Sequence, residues 1–478
     1  MNPTIRFTKT AAYVSVFVSL LLLTNCTKTT PEILDTSKEI LTFSLKKVDG
    51  TAFDPAAITI TKRNDSILIT LPAGADPSRL IPEITIKGKT ITPASGTQQD
   101  FSTPVTYTVT ADDGSTRSYV VKVTATPIGQ LVYFGTNDHQ FYAVDAQTGA
   151  LKWKYTGGGE FTYASPTYHN GVIYMGCIDS YVYAFDAATG AVIWKFKAGD
   201  TGIESDAVYA NGTIYVGSND DHLYALDAST GTLKWRFKTG SNISASPTVA
   251  NGTVYFGSSD SRLYALDALT GAFKWAFATG GMINQCGPSL VNGVIYVGSR
   301  DAYLYAIDAA TGTQKWKFGT GGISLEQASP TVVDGIVYFA GWYNVPGFTK
   351  KGSVYAVDAN TGQLIWEALP NTGFSSSPYV ANGLLYISAD DMNFYALDAS
   401  NGSVKWKAQI LPNGASAAVS NGTVYVGGGG TRHFYAFDAA TGTEKWKFPI
   451  SNALTTSSPL IIEGPDKAVH SGDSGAQP

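Results

Sequence analysis

Three observations predict an all-β chain, an eight-bladed β-propeller preceded by a small immunoglobulin-like β-sandwich. The phrase Asp-Ala-x-Thr/Asn-Gly returns eight times, with a tryptophan four residues after each glycine: Trp153, Trp194, Trp235, Trp275, Trp316, Trp366, Trp406 and Trp446. The spacings are 41, 41, 40, 41, 50, 40 and 40 residues, the length of one four-stranded blade. Seven Asn-Gly or Asp-Gly pairs, ending at Gly171, Gly212, Gly252, Gly293, Gly335, Gly383 and Gly422, sit between apolar runs. They mark type I′ hairpins, which need positive φ. Upstream of the repeats, residues 35–126 alternate apolar and polar positions without the tryptophan phrase.

Taken from the N-terminus, residues 1–25 read as a signal peptide. Arg6 and Lys9 precede an apolar run from Ala11 to Leu23 that is too short to span a bilayer, and Thr24-Asn25-Cys26 follows. A cysteine at that place predicts lipidation of Cys26 and a lipoprotein anchored in the bacterial outer membrane. No acidic run follows Cys26, so the periplasmic side and the cell surface both stay open. Residues 26–34 form the lipidated tether. The β-sandwich of 35–126 is read from Ile58-Thr-Ile-Thr, Ile67-Leu-Ile-Thr, Ile84-Thr-Ile, Val105-Thr-Tyr-Thr-Val and Tyr119-Val-Val-Lys-Val, with Asp113-Gly114 turning the last hairpin.

The propeller occupies 130–462. Each repeat reads as four short strands, A to D: Ser246-Pro247 opens one copy, Asn251-Gly252 turns A into B, and Asp267 with Gly271 turns C into D. Asp267 is placed to accept hydrogen bonds from the turn amides while Gly271 takes the left-handed conformation. Each tryptophan is expected to wedge between neighbouring blades. The first repeat lacks strand A, and a spare Ser458-Pro459-Leu-Ile-Ile462 follows the last tryptophan, so the terminus is expected to complete blade one and close the ring. Residues 463–478 remain as a C-terminal tail.

Composition narrows the function. The formal net charge is −5, and removing Arg6 and Lys9 with the leader makes it more negative by two. No basic stripe offers a nucleic-acid surface. Cys177 and Cys286 fall three blades apart and are expected as buried free thiols. The five histidines show no ligand spacing. Asp138, Asp179, Asp220, Asp260, Asp301 and Asp391 recur in the B–C turns of six blades, where capping of turn amides accounts for them without a metal. No catalytic triad, zinc spacing or phosphate loop is present, so no catalytic or metal residue is assigned.

Two places carry the candidate site. Positions eight residues before the hairpin glycine should ring one mouth of the channel: Tyr163, Glu204, Ser244, Gln285, Gln327, Ser375, Gly414 and Thr456, with Asp206 adding a second acid where other blades read Ser-Pro. Arg262, Arg300 and Arg432 lie in B–C loops near the same face. Blade six replaces its B–C turn with a longer loop carrying an exposed Trp342, Tyr343 and Phe348, together with Lys350 and Lys351, a candidate for stacking on sugars or anchoring a protein.

Segments such as Tyr224-Ala-Leu-Asp227-Ala-Ser-Thr-Gly231-Thr-Leu-Lys234-Trp235 resemble the repeats of the quinoprotein dehydrogenase superfamily over 130–462, and the sandwich resembles the immunoglobulin-like modules of Bacteroidetes lipoproteins. The superfamily implies two occupations. One is an enzyme that holds pyrroloquinoline quinone over calcium, often above a Cys-Cys disulfide that this chain lacks. The other is a non-enzymatic lipoprotein like that of the outer-membrane barrel-assembly machinery. The expected lipid anchor, the compact repeats and the acidic charge favour the second, a membrane-anchored protein-binding or scaffolding module with envelope partners and no cofactor. A periplasmic quinone-dependent oxidoreductase is the first alternative, and surface glycan binding the second.

Overall fold

Each tryptophan of the repeat builds the joint between its own blade and the next. Trp275 Nε1 donates to the Ala309 carbonyl at 3.2 Å, and the Tyr255 hydroxyl donates to the same oxygen at 3.2 Å. Asp308 accepts from the Thr311 amide at 3.0 Å and its hydroxyl at 2.9 Å, which holds the turn that presents that carbonyl. Gly312 has φ +71, and a Cβ there would fall 2.6 Å from the Trp275 ring. The phrase Asp-Ala-x-Thr-Gly is therefore a socket: aspartate folds the turn, alanine offers the carbonyl, and glycine leaves room for the preceding blade's indole.

The computed structural model describes residues 34–470 apart from short stretches at 48–49, 51, 54–57, 72–76, 126–129, 346–348, 412–413, 451–453, 455–456 and 465–466. Cys26 and the leader lie outside the described residues. Among those described, eight antiparallel sheets follow one another along the repeat region. Blade four is representative, with Thr248–Ala250, Thr253–Ser258, Arg262–Asp267 and Phe273–Ala278 as strands A to D. The short inner strands lie side by side in a closed ring, blade eight next to blade one and blade one next to blade two.

The apolar core is a ring of layers between blades. One layer sets Tyr174, Val182 and Ala184 of blade two against Ile203, Ile214 and Leu226 of blade three. Strand D faces outward with alternating exposure. Its lysines keep this outer edge from pairing with another chain, and Lys195 and Lys317 also lie 4.5 and 4.1 Å from the centroids of Tyr181 and Tyr303.

Ring closure uses both ends of the array. Leu460–Gly464 pairs antiparallel with Leu131–Gly135 and supplies strand A of blade one. Trp446 Nε1 then donates to the Ala146 carbonyl at 3.0 Å, across 300 residues of sequence. Within the segment expected as a tail from 463 onward, Lys467–His470 is a strand and pairs with Leu460–Gly464 as a fifth strand. The physical reason is that this inner strand is five residues long where its siblings have three, and the added strand gives partners to its backbone groups.

Blade six also departs from expectation. Strands Ile336–Val345 and Thr349–Asp358 pair without a break from Ile336↔Asp358 to Val345↔Thr349, so the longer insertion is a projecting β-hairpin rather than a loop. Gly352 permits it, since a Cβ there would meet the Gly341 carbonyl at 1.9 Å.

Residues upstream of the propeller form two sheets. Glu39–Lys47 pairs with Leu80–Lys87, and the second sheet has five strands in which Ser66–Leu71 runs parallel to Thr116–Ala125. Phe43, Leu45, Ile67, Ile69, Tyr107, Tyr119 and Val121 fill the space between them. The Asp113-Gly114 turn is in place, with Gly114 at φ +83 and the Ser115 amide donating to Asp113 at 2.9 Å.

Candidate functional site at the channel mouth

Just ahead of strand A, most blades carry a residue whose side chain ties them to the preceding blade. The Ser165 amide donates to the Asp206 carboxylate, and the Asp206 amide to Ser246 Oγ at 3.2 Å. After a gap at Gly287, which has no side chain to accept from blade four, the series resumes. The Gly287 amide donates to Ser329 Oγ at 2.8 Å, Ser329 to Ser377 at 2.9 Å, Ser377 to Ser416 at 2.9 Å and Ser416 to Ser458 at 3.2 Å. This girdle was missed by sequence reasoning. Its signal is the serine that recurs six residues before the hairpin glycine in most blades.

Above the girdle, the mouth positions converge on one cavity of about 560 Å³, part of it open to solvent. Tyr163, Glu204, Ser244, Gln285, Gln327, Ser375 and Gly414 line it together with Asp206 and the serines, so all eight blades contribute. Thr456 lies outside the described residues. Arg262, Arg300 and Arg432 are not among the lining side chains. Arg300 instead faces the buried Glu326, Nε to Oε1 at 3.9 Å.

Polar contacts fix how the lining is presented. Glu204 accepts from Asn219 Nδ2 at 3.0 Å and from Gln285 Nε2 at 3.4 Å, a contact that reaches from blade five to blade three. Tyr163 is a bulky residue in the left-handed region, φ +66, and half of its surface is exposed at the rim. Partial burial raises its phenol pKa, and the carboxylates of Glu204 and Glu160 add to the shift.

The two candidate places prove to be joined. Trp342 Nε1 donates to Gln327 Oε1 at 2.7 Å, and the Trp342 backbone exchanges hydrogen bonds of 3.1 and 2.9 Å with Ser324. Trp342 is thus half-buried at the foot of the blade-six hairpin, not exposed on a loop as expected, because the strand register turns it toward the mouth. Tyr343 is exposed and Lys351 half-buried. Phe348 and the Lys350 side chain lie outside the described residues.

The recurring aspartates are held within their own blades. Asp179, Asp260, Asp301 and Asp391 each accept a tyrosine hydroxyl at 2.6 Å, and Asp220 does the same from Tyr224. Cys177 and Cys286 are buried free thiols. Burial raises the pKa of both, that of Cys286 to about 12, which keeps them protonated and unreactive.

A ring-closed propeller with a polar axial cup defines the class, and the chain belongs to the PQQ-like propeller family whose model is described as outer membrane protein assembly factor BamB. That model matches residues 178–290 and 348–475, just over half of the chain. A second propeller model, described as the glucose/ethanol/alcohol dehydrogenase β-propeller domain, matches 278–367, and the model described as SGBP, N-terminal, matches 40–123. Among solved structures, BamB from Moraxella catarrhalis superposes with a TM-score of 0.52 and 20% identity, covering 69% of this chain and 92% of that one. A europium-containing methanol dehydrogenase gives 0.53 and 17%, covering 63% and 81%. The computationally designed Ika8 protein gives 0.52 and 13%, covering 65% and 95%. These similarities establish the fold. A search of curated proteins finds no match.

Proposed function

We propose that this chain is a glycan-binding protein of the bacterial cell envelope, holding a sugar at the mouth of its propeller. The observation that carries the reading is Tyr163, a half-exposed ring at the rim of a cavity lined by serines, two carboxylates and two glutamines. A sugar offers an apolar ring face to an aromatic plane and hydroxyls to such groups, and a site built to pair hydroxyls discriminates strongly against ligands that lack them. The match of residues 40–123 to the N-terminal module of SGBPs, surface glycan-binding proteins, supports it.

Pyrroloquinoline quinone suits this lining poorly. Its three carboxylates call for cationic donors, and the described lining residues include Glu204 and Asp206 but no lysine or arginine. Capture of an envelope protein is the second reading. It is favoured by the blade-six hairpin, which displays Tyr343, and by kinship with an assembly factor.

Anchoring through lipid on Cys26 would hold the mouth at the outer membrane, and Cys26→Ser would then shift the protein out of the membrane fraction. The binding test is a panel of polysaccharides run against the full chain and against Tyr163→Asn. Asparagine removes the ring yet tolerates positive φ. Affinity for a bound glycan is expected to fall roughly tenfold, about the value of one aromatic stacking contact. Binding that survives the substitution unchanged would move the site elsewhere.

A further inference from the structure

We infer that the sugar held at the mouth carries a free amino group; the inference rests on the glycan reading and assigns its chemical class. The cup has two unlike sides. Ser329, Ser377, Ser416 and Ser458 each accept a backbone amide from the preceding blade. That bond uses an oxygen lone pair, so the hydroxyl hydrogen is left to donate to something else. These serines belong to blades six, seven, eight and one, centred across the ring from blade three, and Ser246 of blade four accepts in the same way.

Blade three presents the opposite chemistry. Glu204 and Asp206 line the cavity there as acceptors. Glu160, on the adjoining blade two, lies near enough to Tyr163 to raise its phenol pKa alongside Glu204. Among the described residues that line the cavity there is no lysine or arginine.

The amides follow the same division. Gln327 Oε1 is taken by the Trp342 indole, which leaves its amide hydrogens as the groups available to a ligand. Gln285 directs its amide nitrogen to Glu204, leaving its oxygen.

An amino sugar complements both sides. Its ammonium is a charge-assisted donor for Glu204 and Asp206, while its hydroxyl oxygens accept from the serines and Gln327. A uronic acid would place a carboxylate among carboxylates, and an N-acetylated sugar of the same shape would lose the charge.

The test is calorimetric titration of the full chain, in mildly acidic buffer, with the β-1,4-glucosamine hexamer, its fully N-acetylated counterpart and a galacturonate hexamer. The glucosamine hexamer is expected to bind about tenfold tighter than the acetylated one, the gain of one charged hydrogen bond, with the galacturonate weakest. Raising the salt should shrink the preference. Glu204→Gln should remove the preference by weakening the glucosamine hexamer more than the acetylated one, and an unchanged melting temperature would report an intact fold. Equal affinity for the first two hexamers, a preference for galacturonate, or a preference that survives Glu204→Gln overturns the inference. If none of the three binds while another glycan is held through Tyr163, the inference falls and the glycan reading stands; if no glycan binds at all, both fall.

Discussion

Gly271 and Gly252 share a backbone conformation, at φ +72 and +69, but not a role. A Cβ on Gly252 would meet nothing within 4 Å, whereas on Gly271 it would lie 2.8 Å from the Trp235 ring. Gly252→Ala should therefore lose only the conformational preference, about 1 kcal/mol. Gly271→Ala should lose that and also push the indole out of its socket, about 2 to 4 kcal/mol in total. Urea unfolding of the two variants checks this, and equal losses would show that the socket has slack. The socket was legible because its parts sit at fixed offsets within every copy. The bond from Trp342 to Gln327 was not, because it joins a strand to the segment leading into strand A, a pairing that no local pattern records. The girdle serines were visible as a recurrence, yet their partners lie on the next blade, some 40 residues away.

At the scale of elements, the inner strand of blade one decides whether the ring is closed. Leu460, Ile461 and Ile462 are fully buried, and they pair with Tyr133, Val132 and Leu131. Deleting the chain from Ser457 onward removes three core side chains and a ladder of backbone bonds. Each large side chain lost from a core is worth about 2 to 5 kcal/mol, so the melting temperature should fall by roughly 10 °C or more. A truncated protein that melts with its parent would place closure elsewhere. The sequence showed this strand because it completes a pattern that blade one lacks. Lys467–His470 matches no repeat and went unread, as did Glu39–Lys47, which pairs with a strand far along the sandwich. The blade-six insertion was legible as an insertion. Its hairpin form was not, because Gly341 and Gly352 read as loop residues although they are what lets the two strands approach.

For the whole molecule, eight copies of one repeat give a ring whose centre need not repeat. Mouth positions are alike in backbone and unlike in side chain: Tyr163, Glu204 and Asp206 cluster on blades two and three, while serines recur on blade four and from blade six round to blade two. Function therefore resides in the departures from the repeat, and the channel positions could be counted from the hairpin glycines even though their partners could not. The most direct test of the mouth as the glycan site is amide hydrogen exchange on the full chain, with and without a saturating bound oligosaccharide. The account predicts slowed exchange in the segments around Tyr163, Glu204, Gln285 and Gln327, with the outer D strands and the sandwich unchanged. Protection confined to the sandwich, or to the tip of the blade-six hairpin, would contradict it.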